Sequence, residues 1–374
     1  MAYSPAGVAL RGFGPYVLIF GAALLMHYVA GPAVGPFPAK MLSNIAIGII
    51  MAVSLNVVNG FTGQFSIGHA GFLALGAYAS GVVTYYGSFK IFGDANIHGA
   101  FPGAGDALFL VAMVVGGAVA AVLGYAVGLP SLRLSGDYLA IVTLGFGEIV
   151  STILKLSRDV LVSKSAVDAT PIYALPLHVG SAIGFDGIPK YSNLFWATLM
   201  AGVTVLVCLR LKESIRGRAY LSIRENEVAA EAMGVPTTRL KVKAFVIAAF
   251  FAGVGGALFA HDTGNLPTPN ELGFQKSLDY VIMVVLGGMG SISGSIVAAI
   301  VLTLLPEILR NLAWIPGLPE SMHDASQYRL VIYAGLLILI MLARPQGLFG
   351  IHEIWELKIV RRIFGKRAGA AANA

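Results

Sequence analysis

Hydrophobic residues fall into ten long runs, approximately 13–31, 41–59, 65–86, 107–129, 138–156, 194–210, 241–260, 277–289, 292–311 and 328–343. A helix that crosses a bilayer needs about 20 mostly apolar residues. The pattern therefore predicts an all-α, polytopic membrane protein with about ten membrane segments. Runs eight and nine are short and meet at a Gly-Gly-Met-Gly-Ser-Ile-Ser-Gly stretch, so one of them reads as a half-helix or re-entrant piece. Runs two and three adjoin in the same manner through Asn-Gly-Phe-Thr-Gly-Gln. The first run is long and only Arg11 precedes it, which favours a retained anchor over a signal peptide.

The sharpest exception to the apolar background is Ser54–Gly71. It carries Asn56, Asn59, Thr62, Gln64, Ser66 and His69 together with Gly60, Gly63, Gly68 and Gly71. Polar side chains and helix-breaking glycines at membrane depth are costly. They are tolerated where protein covers them or where they line a watery path. The stretch points to a transport route, with Asn56, Asn59, Gln64, Ser66 and His69 as candidate path residues. For His69 the bland alternative is a satisfied packing residue. For Asn59 and Gln64 it is that they bond the backbone groups that the break frees from helix hydrogen bonding.

Composition agrees with the run pattern. The chain of 374 residues is 57% hydrophobic and 12% charged, against roughly 25% charged in ordinary soluble domains. The net charge of +6 could suggest nucleic acid, but its distribution follows membrane topology. With ten spans, the N-terminus, the loops after even-numbered segments and the C-terminus share one side. That side holds sixteen of the 25 Lys and Arg residues, eight of them between runs six and seven and six in the tail. By the positive-inside rule both termini are expected in the cytoplasm, with the 87–106 and 157–193 loops outside. Cys208 is the single cysteine, so no intrachain disulfide can form.

Five spans per half put the second half in inverted topology relative to the first. The approximate halves are 13–156 and 194–343. A short echo accompanies them: Ser54-Leu55-Asn56 precedes the break at Gly60–Gly68, and Ser277-Leu278-Asp279 precedes the break at Gly287–Gly294. Small residues recur every four positions at Gly116, Ala120, Gly124 and Gly128, and again at Ala249, Gly253 and Ala257 beside Ala248, Ala252 and Gly256. Such faces let helices approach closely.

Residues 211–243 form the only long charged stretch between runs. Arg224–Met233 reads as a short helix that stops at Gly234, with Pro236 two residues on. Val228 and Ala232 share one face, as do Ala229 and Met233, while Glu227 and Glu231 share another. Thr237 or Thr238 is placed to cap the next helix. The pattern fits a docking helix for a cytoplasmic partner better than a solvated connector on the membrane surface.

Enzyme signatures are missing from the sequence. It has no G-x-x-x-x-G-K-[S/T] phosphate loop, no G-x-S-x-G elbow, and no Cys/His cluster with zinc spacing. Glu148 falls inside run five. A carboxylate at mid-helix costs roughly 2.5–3.5 kcal/mol on insertion scales. It is either a paired residue that fixes helix packing or a path residue. Asp279 and Asp137 lie at run boundaries and read as interfacial, Asp279 also as a path candidate.

Four blocks carry a resemblance: LNVVNGFTGQFSIGHAGFLALGAYAS, RLSGDYLAIVTLGFGEIV, RENEVAAEAMGVPTTRLKVKAFVIAAFFAGVGGALFA and DYVIMVVLGGMGSISGSIVAAI. Together they resemble the permease subunits of branched-chain amino acid ABC importers, LivM type, over about residues 40–345. Relatives in that family move other amino acids, amides or urea. The resemblance implies a single transmembrane permease domain over 1–374, in the type II importer arrangement, with a basic tail at 344–374 in the cytoplasm. It implies a homologous second permease, two cytoplasmic ATPase subunits and an extracytoplasmic substrate-binding protein in a bacterial inner membrane. ATP and Mg would sit on the ATPases, with no cofactor, metal or nucleic acid on this chain. The family's E-A-A-x-x-x-G docking signature, counted back from Gly234, falls on Val228, Ala229 and Ala230. Its Glu is replaced by Val228, with Glu227 and Glu231 as neighbours. Two other classes fit the runs: a stand-alone secondary transporter, which has no need of the 211–243 docking loop, and a structural membrane subunit without transport.

Overall fold

Every regular element of the described residues is helical, apart from one isolated bridge between Arg158 and His178. The structure, a computed structural model, describes residues 5–99, 101–131, 138–266 and 268–310. Beyond these it describes 331, 334, 335, 338, 339, 342, 347–350, 353 and 354. Most of the expected tenth segment and of the basic tail lies outside the described residues, as do Arg133 and Asp137.

The helices follow in order: α1 Pro5–Leu25, α2 Gly31–Val34, α3 Pro36–Asn56, α4 His69–Ile91, α5 Ala104–Ser131, α6 Tyr138–Lys155 and α7 Lys164–Ala169. Then come α8 Leu194–Glu213, α9 Ile215–Glu225, α10 Glu227–Ala232, α11 Thr237–Thr263, α12 Phe274–Gly287 and α13 Ile292–Arg310. A π-helical turn, Met26–Ala30, joins α1 to α2, and another, Val57–Phe61, extends α3. Local chemistry sets several boundaries. Pro36 opens α3, where its missing N–H has no partner to lose. The Asn193 side chain accepts from the Trp196 N–H to start α8, which ends on Arg210 and Lys212 beside its negative dipole end.

Six helical stretches among the described residues are long and apolar enough to cross a membrane: Phe13–Val34, Pro36–Phe61, Ala104–Ser131, Tyr138–Lys155, Leu194–Glu213 and Thr237–Thr263. The sequence runs at 65–86, 277–289 and 292–311 also become helices, but not spans by this measure. α4 is long but carries His, Ser, Thr and Tyr along its length. α12 has 14 residues, about 21 Å at 1.5 Å per residue, short of a hydrocarbon core of about 30 Å. The stretch Pro36–Phe61 is central, 78% buried, whereas Phe13–Val34 is peripheral at 6%. That outer helix leans on α8, with Phe20 edge-on to Phe195.

The core is the packing of α4, α5 and α11 on one another. The small-residue faces expected from sequence form these contacts: Gly116, Ala120, Gly124 and Gly128 are buried on α5, and Ala248, Ala249, Ala252, Gly253, Gly256 and Ala257 on α11. The helices touch backbone to backbone. A methyl group on Gly256 would sit 2.0 Å from the Leu73 carbonyl oxygen, and one on Gly76 2.1 Å from that of Gly253. Gly256→Ala is therefore expected to destabilise the detergent-purified protein by more than the about 1–3 kcal/mol of ordinary overpacking. Gly145→Ala, where nothing lies within 4 Å, should melt as the native chain does. Equal melting of the two variants in a thermal unfolding assay would contradict this packing.

The bundle has two distinct ends. At one, the connections 92–103, 157–193 and 264–273 interlock: Tyr191 accepts from the His98 N–H at 3.2 Å, and the Leu266 N–H donates to the Phe185 carbonyl at 2.8 Å. Lys40 pairs with Asp262 there at 3.3 Å. At the other end, residues 214–236 cover the point where both helix breaks arrive. Tyr16 on α1 meets Arg210 at this end, its hydroxyl accepting at 3.2 Å.

Candidate functional site

The two glycine-rich breaks, far apart in sequence, meet face to face. Asn56, the last residue of α3, is fully buried. Its side-chain NH2 donates to the Ser291 carbonyl at 2.9 Å and to the Ser295 hydroxyl at 3.0 Å. Its carbonyl oxygen accepts the Gly290 N–H at 2.8 Å. One side chain thus satisfies backbone that the second break leaves without helix partners. Glycine is required here by approach: a Cβ on Gly60 would lie 1.8 Å from Asn56 Oδ1 and 2.3 Å from the Gly290 nitrogen.

The remaining polar residues of the first break also turn inward. Asn59 accepts the Ser66 N–H at 3.1 Å and closes the loop between them. Gln64 is buried, its N–H donating to Val58 and its Oε1 3.5 Å from the Thr62 hydroxyl. Ser66 is buried in the same loop. His69, the first residue of α4, meets the Ser54 hydroxyl at 2.9 Å through Nε2. The next N–H, of Ala70, donates to Ser277 on α12 at 3.0 Å. Both members of the Ser-Leu-Asn and Ser-Leu-Asp echo therefore reach the start of α4 through their serines. In this conformation Asn56 and Asn59 bond backbone groups of the breaks.

Glu148 and Asp279 lie elsewhere. Glu148 is exposed on α6 and has no side-chain hydrogen bond or ion pair among the described residues. Its Oε1 stands 3.5 Å from where a Cβ on Gly273 would be, at the start of α12. Asp279 is half-exposed on α12, 3.9 Å from Lys276. The packing role considered for Glu148 thus has no partner among the described residues. No three His, Cys, Asp or Glu side chains among the described residues form a group that could hold a metal ion.

Residues 211–243 differ from their sequence reading in two respects. The helix expected over Arg224–Met233 is broken at Asn226, which is extended (φ −160°, ψ 109°) and whose side chain caps α10 by accepting the Ala229 N–H at 3.0 Å. Arg224 and Glu225 therefore close α9, and α10 is a separate helix of six residues. Asn226 ahead of Glu-Val-Ala-Ala is a capping signal; the flanking glutamates masked it. Gly234 stops α10 as expected, in the left-handed region at φ +80°. Its N–H donates to Glu231 and that of Val235 to Ala230. Neither threonine caps α11: Pro236 precedes it without a side-chain cap, and the Thr237 hydroxyl donates to Glu231 at 2.5 Å instead. Glu227 is ion-paired with Lys241. Both glutamates of the motif thus fasten α10 to α11. Ala230 is buried against the bundle, while Val228 (77% exposed) and Met233 (84%) stand out with Ala229 and Gly234. Val228 and Met233 are thus two bare apolar side chains on an otherwise charged segment.

Three basic contacts tie this loop to the breaks, and sequence reasoning missed all of them. The Arg224 guanidinium donates to the Gly60 carbonyl at 3.0 Å and to the Met289 carbonyl at 3.2 Å. Lys212 donates to the Gly290 carbonyl at 2.7 Å and pairs with Glu353 at 2.5 Å. Glu353 in turn accepts the Ile292 and Ser293 N–H groups at 3.0 and 2.9 Å, capping α13. Burial opposes ionisation of Glu353. The Lys212, Ser293 and backbone hydrogen bonds outweigh it and hold the carboxyl below the usual range.

A family model described as "Branched-chain amino acid transport system / permease component" matches residues 37–341. The chain belongs to this family. LivM, the high-affinity branched-chain amino acid transport system permease protein of Salmonella typhimurium, is 33% identical over 88% of this chain and 74% of its own length. LivM of Escherichia coli gives the same figures. Escherichia coli LivH, a permease protein of the same kind of system, is 25% identical over 85% of this chain and 97% of its own length. No solved structure matches the chain significantly. The matched span of this permease contains both breaks, residues 211–243, α6 and α12. It is a multi-pass membrane protein whose regular elements, among the described residues, are helices.

Proposed function

We propose that the chain is the transmembrane permease subunit of an ATP-driven importer for branched-chain or related amino acids, and that it forms the substrate path with a homologous second permease. The observation that carries this is the 33% identity with LivM across nearly the whole chain. The parallel likeness to LivH supports a pair of related permeases. Other amino acids, amides or urea remain alternative substrates within the same architecture.

In this reading the end bearing residues 214–236 faces the cytoplasm of a bacterial inner membrane. Both termini lie on that side, as the Lys/Arg distribution favours. Ten membrane segments in two inverted type II halves, 13–156 and 194–343, complete the domain, with the tail at 344–374. Two ATPase subunits, which hold ATP and Mg, dock on Val228, Ala229, Met233 and Gly234, while Glu227, Ala230 and Glu231 hold α10 against the bundle. A binding protein delivers substrate to the opposite end. Glu148 and Asp279 face the path shared with the second permease. Asn56, Asn59, Gln64, Ser66 and His69 shape the break that borders it. Closure of the ATPase dimer on ATP moves α10, and the bundle exchanges outward for inward access.

Sidedness is checked by thiol labelling, since Cys208 is fully buried. A membrane-impermeant reagent added to intact cells should label Tyr173→Cys and leave Arg218→Cys untouched; the reverse pattern overturns the topology. The ATPase partnership is tested by affinity purification of the tagged chain from its native operon context. Two ATPase chains should accompany it. A chain that purifies without them and takes up substrate on an ion gradient alone would be a secondary transporter.

A further inference from the structure

The contacts between the docking loop and the breaks have a specific arrangement that the function above does not use. α9, the helix before the docking helix α10, reaches both breaks directly. Arg224 sits at the last turn of α9, and a single nitrogen, Nη1, bridges the carbonyls of Gly60 and Met289 at 3.0 and 3.2 Å. Its stem lies against the first break: a Cβ on Gly63 would be 3.2 Å from Arg224 Cγ. A Cβ on Gly290 would be 2.5 Å from Nη1. The rest of α9 is seated on the same place. Tyr220 and Ile223 are buried in one apolar cluster with Val57 just before the first break, Phe61 within it, Ile292 within the second, and Ala230 of α10. One extended residue, Asn226, separates α9 from α10.

We infer that Arg224 is the positioning residue that couples the docking helix to the substrate path: it holds the two breaks together at the cytoplasmic end, and a shift of α10 acts on them by moving α9. This rests on the importer reading and adds to it the element through which ATPase motion arrives. The physical basis is that each break has carbonyls free of helix partners. A cation donating to two of them makes the separation of the halves depend on where that cation is held. Neutral residues of the same length would leave the carbonyls to water and the halves uncoupled from α9.

The test is uptake per ATP hydrolysed in proteoliposomes holding the whole importer with its binding protein. Arg224→Met keeps length and packing but removes the donors. It should assemble with both ATPases and still hydrolyse ATP, with uptake per ATP reduced about tenfold or more, within the usual range of coupling between sites. Arg224→Lys, which restores a cationic donor, should recover most of the ratio. A native ratio in Arg224→Met overturns the inference. So does failure of both Arg224→Met and Arg224→Gln to reach the membrane, which would make Arg224 a folding residue. A native complex that shows no ATP-driven uptake at all would instead sink the importer reading.

Discussion

Gly60→Ala should abolish transport. The added methyl would lie 1.8 Å from Asn56 Oδ1 and 2.3 Å from the Gly290 nitrogen. Neither can yield cheaply. Asn56 Oδ1 is fixed by the Gly290 N–H, and its NH2 by Ser291 and Ser295. Displacing Asn56 leaves buried polar groups without partners, at about 1–3 kcal/mol each. Displacing Gly290 instead separates the two breaks. Either way the junction opens, and uptake should fall below detection with a lowered melting temperature. Gly21→Ala, where nothing lies within 4 Å, serves as the control. Native melting and native uptake in Gly60→Ala would show that the breaks do not meet.

Gly234→Leu should fail for a different reason. No heavy atom lies within 4 Å of a Cβ at this position, so the chain itself has room for the side chain. The backbone cost of the left-handed conformation at φ +80° is about 1–2 kcal/mol, too little to unfold the bundle. The new side chain would instead add volume to the exposed segment of Val228 and Met233, which is proposed to receive the ATPase. The variant is expected to insert and melt nearly as the native chain does, yet to lose ATPase association by tenfold or more on the scale of a disrupted hot spot, about 2 kcal/mol. Gly234→Ala carries the same backbone cost with less volume and should lose much less. Normal ATPase recovery with Gly234→Leu would remove this face from the interface.

Much of this was legible in the sequence. The apolar runs marked every long helix, because burial in lipid demands length and composition together. The four-residue spacing of small residues located the α5 and α11 contact faces, because only one helical face can approach so closely. Gly234 marked the end of α10 through its left-handed backbone. The family blocks led to the family that the model match then gave.

What was not legible depends on distance. Arg224 finds Gly60 across 164 positions, and Lys212 finds Glu353 across 141. No local pattern announces such partners. The polar residues of the first break illustrate the same limit. Glycine breaks free backbone groups inside the bundle, and polar side chains near them can serve either the path or those groups. Asn56 and Asn59 serve the groups in this conformation. Conversely, Glu148 read first as a packing residue, with a path role as the alternative, yet α6 leaves it exposed. The helix across Arg224–Met233 was misread because an asparagine cap between two glutamates resembles an unbroken helical stretch, although its side chain starts a new one.

The central claim is that this chain forms an amino acid path driven by ATPases docked at residues 227–234. Uptake of labelled leucine, isoleucine and valine into proteoliposomes holding this chain, the second permease and both ATPases tests it most directly. Accumulation should require the binding protein on one side and ATP on the side of the docking loop, and should vanish when either is omitted. Accumulation by this chain without the ATPases, driven by an ion gradient and indifferent to ATP, would contradict the account.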